Sequence, residues 1–130
     1  MGRLLGVDPG EVRIGLALSD PTETIAAPLA VLRHTSRRTD VEAILTLAVK
    51  HSVEAIIVGV AYDLEGRAGP QARRALRLSE ALREEATVPV LTWDESGSTA
   101  AAARSGGKRA PIDARAAAVI LQDYLDSRHG

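Results

Sequence analysis

The sequence predicts an α/β protein: a mixed five-stranded sheet in the chain order βββαβαβα, with helices on both faces. Three apolar, β-branched runs crowd into residues 3–32 with connections too short for a crossover helix, which dictates an antiparallel meander. A later run at 54–60 is apolar without alternation, the mark of a central strand covered on both faces. Segments of helical periodicity precede and follow it.

Taken in order, the first strand is expected at 3–8 and the second at 12–19, joined through Pro9-Gly10, a pair that turns the chain sharply. Asp20-Pro21-Thr22 marks the next turn, before a third strand at 25–32. Thr39-Asp40-Val41-Glu42 matches a capping box, after which Val41, Ile44, Leu45 and Ala48 repeat at helical spacing. The strand at 54–60 leads into a loop, 61–69, holding Asp63, Glu65 and two glycines. Residues 70–86 read as an amphipathic helix with Ala72, Leu76, Ser79 and Leu82 along one stripe and its arginines on a solvated face. The fifth strand, 88–93, ends in Asp94-Glu95. A short alanine-rich helix (about 99–104) and a glycine-containing loop precede the last helix, which starts near Asp113 and buries Ala117, Ile120, Leu121 and Tyr124. With no internal repeat and no linker, residues 1–130 read as one domain.

Composition narrows the function classes. Hydrophobic residues make up 45% of the chain, but with no Phe, one Trp and two Tyr the core must be aliphatic. The absence of cysteine excludes disulfides and thiolate metal sites. No apolar stretch at the start is long enough for a signal peptide or a membrane span, so a soluble cytoplasmic protein is expected. The net charge of −1 gives the whole molecule no attraction for nucleic acid, so any such contact needs a local basic patch. Arginine dominates the 16 basic residues, which suits bidentate pairing with phosphate.

Acidic residues stand at the ends of elements. Asp8 follows a wholly apolar strand and precedes a bend whose Gly10 lets a ligand approach the backbone. Asp94-Glu95 close the fifth strand, and Asp113 opens the last helix. If the first and fifth strands run parallel near the middle of the sheet, their C-terminal ends share the rim where α/β sheets bind ligands. Converging carboxylates there suit a hard divalent cation, Mg²⁺ or Mn²⁺, acting on a phosphodiester. Blander roles exist for each alone: Asp113 as a helix cap, Asp94 as a turn acceptor, Glu95 as a solvated turn residue. Arg104, Lys108, Arg109 and Arg115 cluster around Asp113 in sequence. His34, His51 and His129 show no metal-ligand spacing.

These pieces together are more specific than any one of them. Asp8, Gly10, Ile14, Gly15 and Ala17 resemble the opening D-x-G-x-x-x-I-G-x-A motif of the YqgF/RuvX family. Ile57-Val58-Gly59-Val60 with Asp63-Leu64-Glu65-Gly66 is similar to its I-V-G-L-P and acid-Gly segment, and Asp94-Glu95 with Ser98-Thr99 to its D-E-R-x-S-T motif. Asp113, Ala116, Ala117, Ile120, Leu121, Tyr124 and Leu125 follow its C-terminal helix, so the likeness spans nearly the whole chain. The family is described both as Holliday-junction resolvases and as nucleases maturing the 5′ end of 16S ribosomal RNA. The resemblance implies an RNase H-like fold and a Mg²⁺- or Mn²⁺-dependent nuclease acting on RNA or DNA, as a monomer or homodimer. It implies Asp8, Glu95 and Asp113 as catalytic residues, with Asp94 beside Glu95 as an alternative metal ligand. Gly10, Arg13, Ser98, Thr99, Arg104, Lys108 and Arg109 are the implied nucleic-acid contacts. Two departures stand out: Ser96-Gly97 replace the arginine and its successor in D-E-R-x-S-T, and Val60-Ala61 replace Leu-Pro. A phosphate grip lost with that arginine would fall to Arg13, Arg104 or Lys108, and with the carboxylates intact activity is expected.

Two other functions compete. A non-catalytic RNA- or DNA-binding module of ribosome assembly is motivated by Ser96-Gly97. An ATP-binding actin-like or sugar-kinase-like protein also opens with D-x-G, but such proteins clamp nucleotide between two domains and this chain supplies one.

Overall fold

A computed structural model of the chain describes residues 2–95 and 112–129, Ile112 and Asp113 by backbone alone. Among the described residues eight elements follow one another: β1 (Arg3–Pro9), β2 (Arg13–Ser19), β3 (Ala26–Arg33), α1 (Arg37–Lys50), β4 (Val53–Val60), α2 (Pro70–Glu85), β5 (Val90–Asp94) and α3 (Ile112–His129). The sheet order is β3-β2-β1-β4-β5, with β1–β2 and β2–β3 antiparallel and β1–β4 and β4–β5 parallel. The expected meander and mixed sheet are both present. The expected position of the fifth strand needs correction: β1 is central, whereas β5 lies at the edge, paired with β4 alone. Its C-terminal end still reaches the same rim as β1, because both strands run parallel to β4.

Alternation along the strands divides the core in two. Leu5, Val7, Ile56, Val58 and Val60 face α1 and α2, packing with Val41, Ile44, Ala72, Ala75, Leu78 and Leu82. Leu4, Ala17 and Ile57 face α3 through Ala117, Leu121 and Leu125. β4 is thus covered on both sides, as its unbroken apolar run requires. On α2 the buried stripe is Ala72, Ala75, Leu78, Ser79 and Leu82; Leu76, expected within it, is half-buried at its margin. Tyr124 is likewise half-buried, and Leu125 is the fully enclosed residue of that turn.

The start of α1 also differs from expectation. Ser36, in extended conformation, caps the helix by accepting from the Thr39 amide at 3.2 Å, so the Thr39–Glu42 segment lies inside the first turns. Asp40 is released from capping and is buried, where it accepts from the Thr35 amide at 3.3 Å and pairs with His34. Helix α3 is anchored at its C-terminal half. Gln122 accepts from the Ala26 amide and donates to the Thr24 carbonyl, both at 2.9 Å, and Arg128 meets Glu23 at 3.2 Å. These contacts lie at the end of the sheet where β1 and β3 begin, so α3 opens at the opposite rim. No helix among the described residues is long and apolar enough to cross a membrane.

Candidate active site

β1 delivers Asp8 one step beyond its last parallel pair with β4, Val7–Val58, so that Asp8 lies level with Gly59. On its other side Asp8 is paired with Gly15 of β2. The carboxylate therefore stands between two positions without side chains on the α3 face, in a trough at the strand ends. It is 3% exposed. The turn behind it is closed by Gly10, where a Cβ would come within 2.3 Å of the Arg13 carbonyl oxygen. That contact accounts for the glycine by hairpin geometry. Arg13 has the same parity as Gly15 and so sits on the face of Asp8, one residue past the Pro9–Ile14 pair.

β5 delivers the second acid. The Glu95 amide donates to the Val60 carbonyl at 3.0 Å, extending the β4–β5 pairing past the strand end. Trp93, on the α3 face, packs edge-on against Tyr124 with ring centroids 5.6 Å apart, and two-residue alternation puts Glu95 on that same face. Glu95 is 2% exposed, and its Oε2 would lie 2.8 Å from a Cβ at position 59. The same Cβ would meet Ile120 Cδ1 at 2.6 Å. Gly59 thus leaves the space into which the Glu95 carboxylate is seated, against α3. Asp94, paired with Val60, has the opposite parity and is exposed on the other side of the sheet.

Of the acids expected at the site, the fold brings Asp8 and Glu95 to one rim and one face, and turns Asp94 away. Asp113 lies in the first turn of α3, whose backbone begins at that rim. Among the described residues no group of three His, Cys, Asp or Glu converges. Ser98, Thr99, Arg104, Lys108 and Arg109, and the short helix expected near them, lie outside the described residues. Arg115 is exposed on α3. The loop acid Asp63 has a structural task, accepting from the Glu65 and Arg67 amides at 3.0 and 2.7 Å. Two aromatic side chains near the rim are engaged within the fold: Trp93 with Tyr124, and Tyr62 against the core below α1 and α2. Sequence reasoning missed the His34–Asp40 pair, for which the signal was an acid inside a helix whose true cap lay one turn earlier.

A meander joined through two crossover units to a five-stranded mixed sheet, with acids at the ends of β1 and β5, defines an α/β protein of the RNase H-like class. Residues 2–127 match the RuvX family, described as Holliday junction resolvase, and the chain belongs to that family. A relative from Caldanaerobacter subterraneus subsp. tengcongensis, named "Putative pre-16S rRNA nuclease", is 42% identical, with 97% of each chain covered. A relative of the same name from Roseiflexus sp. is 41% identical over 98% of this chain and 96% of its own. Among solved structures, T. thermophilus RuvC in complex with Holliday junction substrate superposes with a TM-score of 0.65 at 21% identity, covering 100% of this chain and 97% of that one. The fowlpox virus Holliday junction resolvase gives 0.59 at 14% identity, covering 97% and 99%. These two likenesses establish the fold.

Proposed function

We propose that this chain, acting as one domain over residues 1–130, is a cytoplasmic divalent-metal-dependent nuclease that hydrolyses phosphodiester bonds. Its substrate is the 5′ extension of precursor 16S rRNA, branched DNA recombination intermediates, or both. The observation that carries this reading is the pair of buried carboxylates, Asp8 and Glu95, on one face of one rim. Carboxylates at strand ends on one face of an α/β sheet rim are placed where such sheets hold a hard cation and a phosphate. The donor set, carboxylate oxygen without nitrogen or sulfur, fits Mg²⁺ or Mn²⁺, and the absence of a side chain at Gly59 leaves one of its donors room to lie inward. Asp8 and Glu95 would hold the ion, with Asp113 as a third ligand from the start of α3. When bound, such an ion supplies the charge that offsets developing negative charge on the phosphate and lowers the cost of activating water.

The remaining work falls to this chain's own groups. Asp8 and Glu95 are fixed by strand pairing before substrate arrives, so little reorganisation is needed. Arg13, on the Asp8 face, is placed to orient a neighbouring phosphate, the task for which Ser98, Thr99, Arg104, Lys108 and Arg109 are further candidates. A monomer suffices for trimming an RNA end, whereas symmetric cutting of a junction requires a homodimer.

The test is a cleavage panel comprising a four-way DNA junction, single-stranded DNA, single-stranded RNA and a 5′-extended 16S precursor, incubated with wild type and Asp8→Asn in Mg²⁺ and in Mn²⁺. At least one substrate is cut by wild type, and Asp8→Asn loses that activity. Undiminished cleavage by the variant sinks the assignment. Binding without cleavage across the whole panel replaces it with a non-catalytic assembly module.

A further inference from the structure

The face of the sheet opposite Asp8 carries a second feature at the same rim. A cavity of about 310 Å³ opens between the first turn of α1 and the second and third turns of α2, with Pro9 and Gly10 forming one wall. Arg37, Arg74 and Arg77 line it, and its one acidic residue, Asp40, is already paired with His34. Among the described residues these three arginines form no ion pair, whereas Arg38, Arg67, Arg83 and Arg128 each have an acid at 3.2–3.9 Å. Glu11 lines an adjoining hollow beside Arg74, and Glu80 and Glu84 line another beside Arg37 and Arg77, so the cavity lies at the basic centre of a mixed surface.

The backbone adds to this charge. Helix α1 starts at the cavity, with Ser36 and Arg37 in its wall, so its positive end lies beside it. The volume is at the lower end of ligand-sized pockets, about 300–1,000 Å³, enough for a phosphate with part of its sugar. Arginine forks pair best with planar or tetrahedral oxyanions, above all phosphate.

Position decides what carries that phosphate. Pro9 and Gly10 directly follow Asp8, and the turn they begin is tied to the end of β3 by the His34 amide, which donates to the Val12 carbonyl at 2.9 Å. A strand with one phosphodiester at Asp8 and Glu95 therefore passes over the β1–β2 turn directly into the cavity. We infer that the Arg37–Arg74–Arg77 cavity holds a backbone phosphate of the nucleic acid strand on which the rim acts. The inference rests on the nucleic-acid reading above, and it supplies the local basic patch that a net charge of −1 demands.

The experiment is fluorescence anisotropy of a labelled single-stranded RNA oligonucleotide, titrated across a salt series with three proteins. These are Asp8→Asn, the same with Arg74→Gln and Arg77→Gln, and the same with Arg38→Gln and Lys50→Gln as a charge-matched control. Binding is expected to weaken at least tenfold in the cavity variant. The slope of log K against log salt should become shallower by about 0.7 for each phosphate that the variant no longer neutralises, and the control pair should stay at the parent values. Equal affinities in all three proteins, or equal weakening by both pairs, overturns the proposal. Calorimetry with inorganic phosphate separates the other source of the same chemistry. If phosphate alone binds Asp8→Asn as tightly as the oligonucleotide does, and loses that binding in the cavity variant, the site is for a free anion and the strand assignment falls. Because none of these readouts uses cleavage, a cleavage-negative wild type with arginine-dependent binding would defeat the nuclease reading and leave this one standing.

Discussion

Asp94 and Glu95 are neighbours in sequence and opposites in environment. One is exposed on the α2 side of β5, and the other is 2% exposed on the α3 side. Strand parity alone makes the difference: Glu95 shares its face with Trp93, which packs on Tyr124 of α3, and Asp94 shares the other with Val90. The reason for Gly59 is not legible in the sequence, since its neighbours Ile120 and Glu95 come from elements far along the chain. That contact gives a sharp prediction. Gly59→Ala inserts a Cβ 2.8 Å from the Glu95 carboxylate and 2.6 Å from Ile120, so both must shift. Overpacking of this kind costs about 1–3 kcal/mol, and a misplaced functional group costs about 10²-fold in rate. Urea unfolding and steady-state kinetics should therefore show a folded protein with kcat reduced far more than KM is raised. A variant with wild-type kcat would mean that the seating of Glu95 is irrelevant to turnover.

At the scale of elements, α3 shows how far periodicity reaches. Its buried residues follow from the spacing of Ala117, Ile120 and Leu121, but its direction across the sheet is set by polar contacts to the β2–β3 turn that no periodicity encodes. Gln122→Ala removes two hydrogen bonds to that turn and should destabilise the fold by about 1–2 kcal/mol in denaturant titration. An unchanged midpoint would show that the apolar face alone seats the helix. The turn itself is organised by Asp20, which accepts from the Thr22 hydroxyl and from the Thr24 and Ile25 amides at 2.8 and 2.9 Å. The Thr22 hydroxyl first, then the Ile25 and Thr24 amides, hold its pKa well below the ordinary 3.8. A depressed carboxyl pKa contributes stability above that ordinary value and loses it as pH falls through the folded one. The difference in melting temperature between wild type and Asp20→Asn should thus be present at neutral pH and close progressively below pH 3.8. A difference that does not vary with pH would contradict the role given to the ionised carboxylate. The start of α1 lies one turn before the position its sequence suggests, because Thr39-x-x-Glu42 and Ser36-x-x-Thr39 are both plausible starts. Only the extended backbone at Ser36 selects between them.

For the molecule as a whole, the antiparallel meander and the helical crossovers follow from the lengths of the connections, which is why the fold class is readable from the chain alone. The edge position of β5 is not, since parallel strands advertise no neighbour in sequence. The consequence of the assembled sheet is that one rim receives the C-terminal ends of β1, β4 and β5 together with the N-terminal ends of α1, α2 and α3. Buried acids lie on one face of that rim and, on the other, arginines that form no ion pair among the described residues. The central claim is that Asp8 and Glu95, and not Asp94, form the reactive centre. Its most direct measurement is the turnover rate of Asp8→Asn, Glu95→Gln and Asp94→Asn on whichever substrate the wild type cuts best, at saturating Mg²⁺ or Mn²⁺. Cleavage should fall to background in the first two and stay within a few-fold of wild type in the third. Activity retained by Glu95→Gln and lost by Asp94→Asn would contradict that assignment.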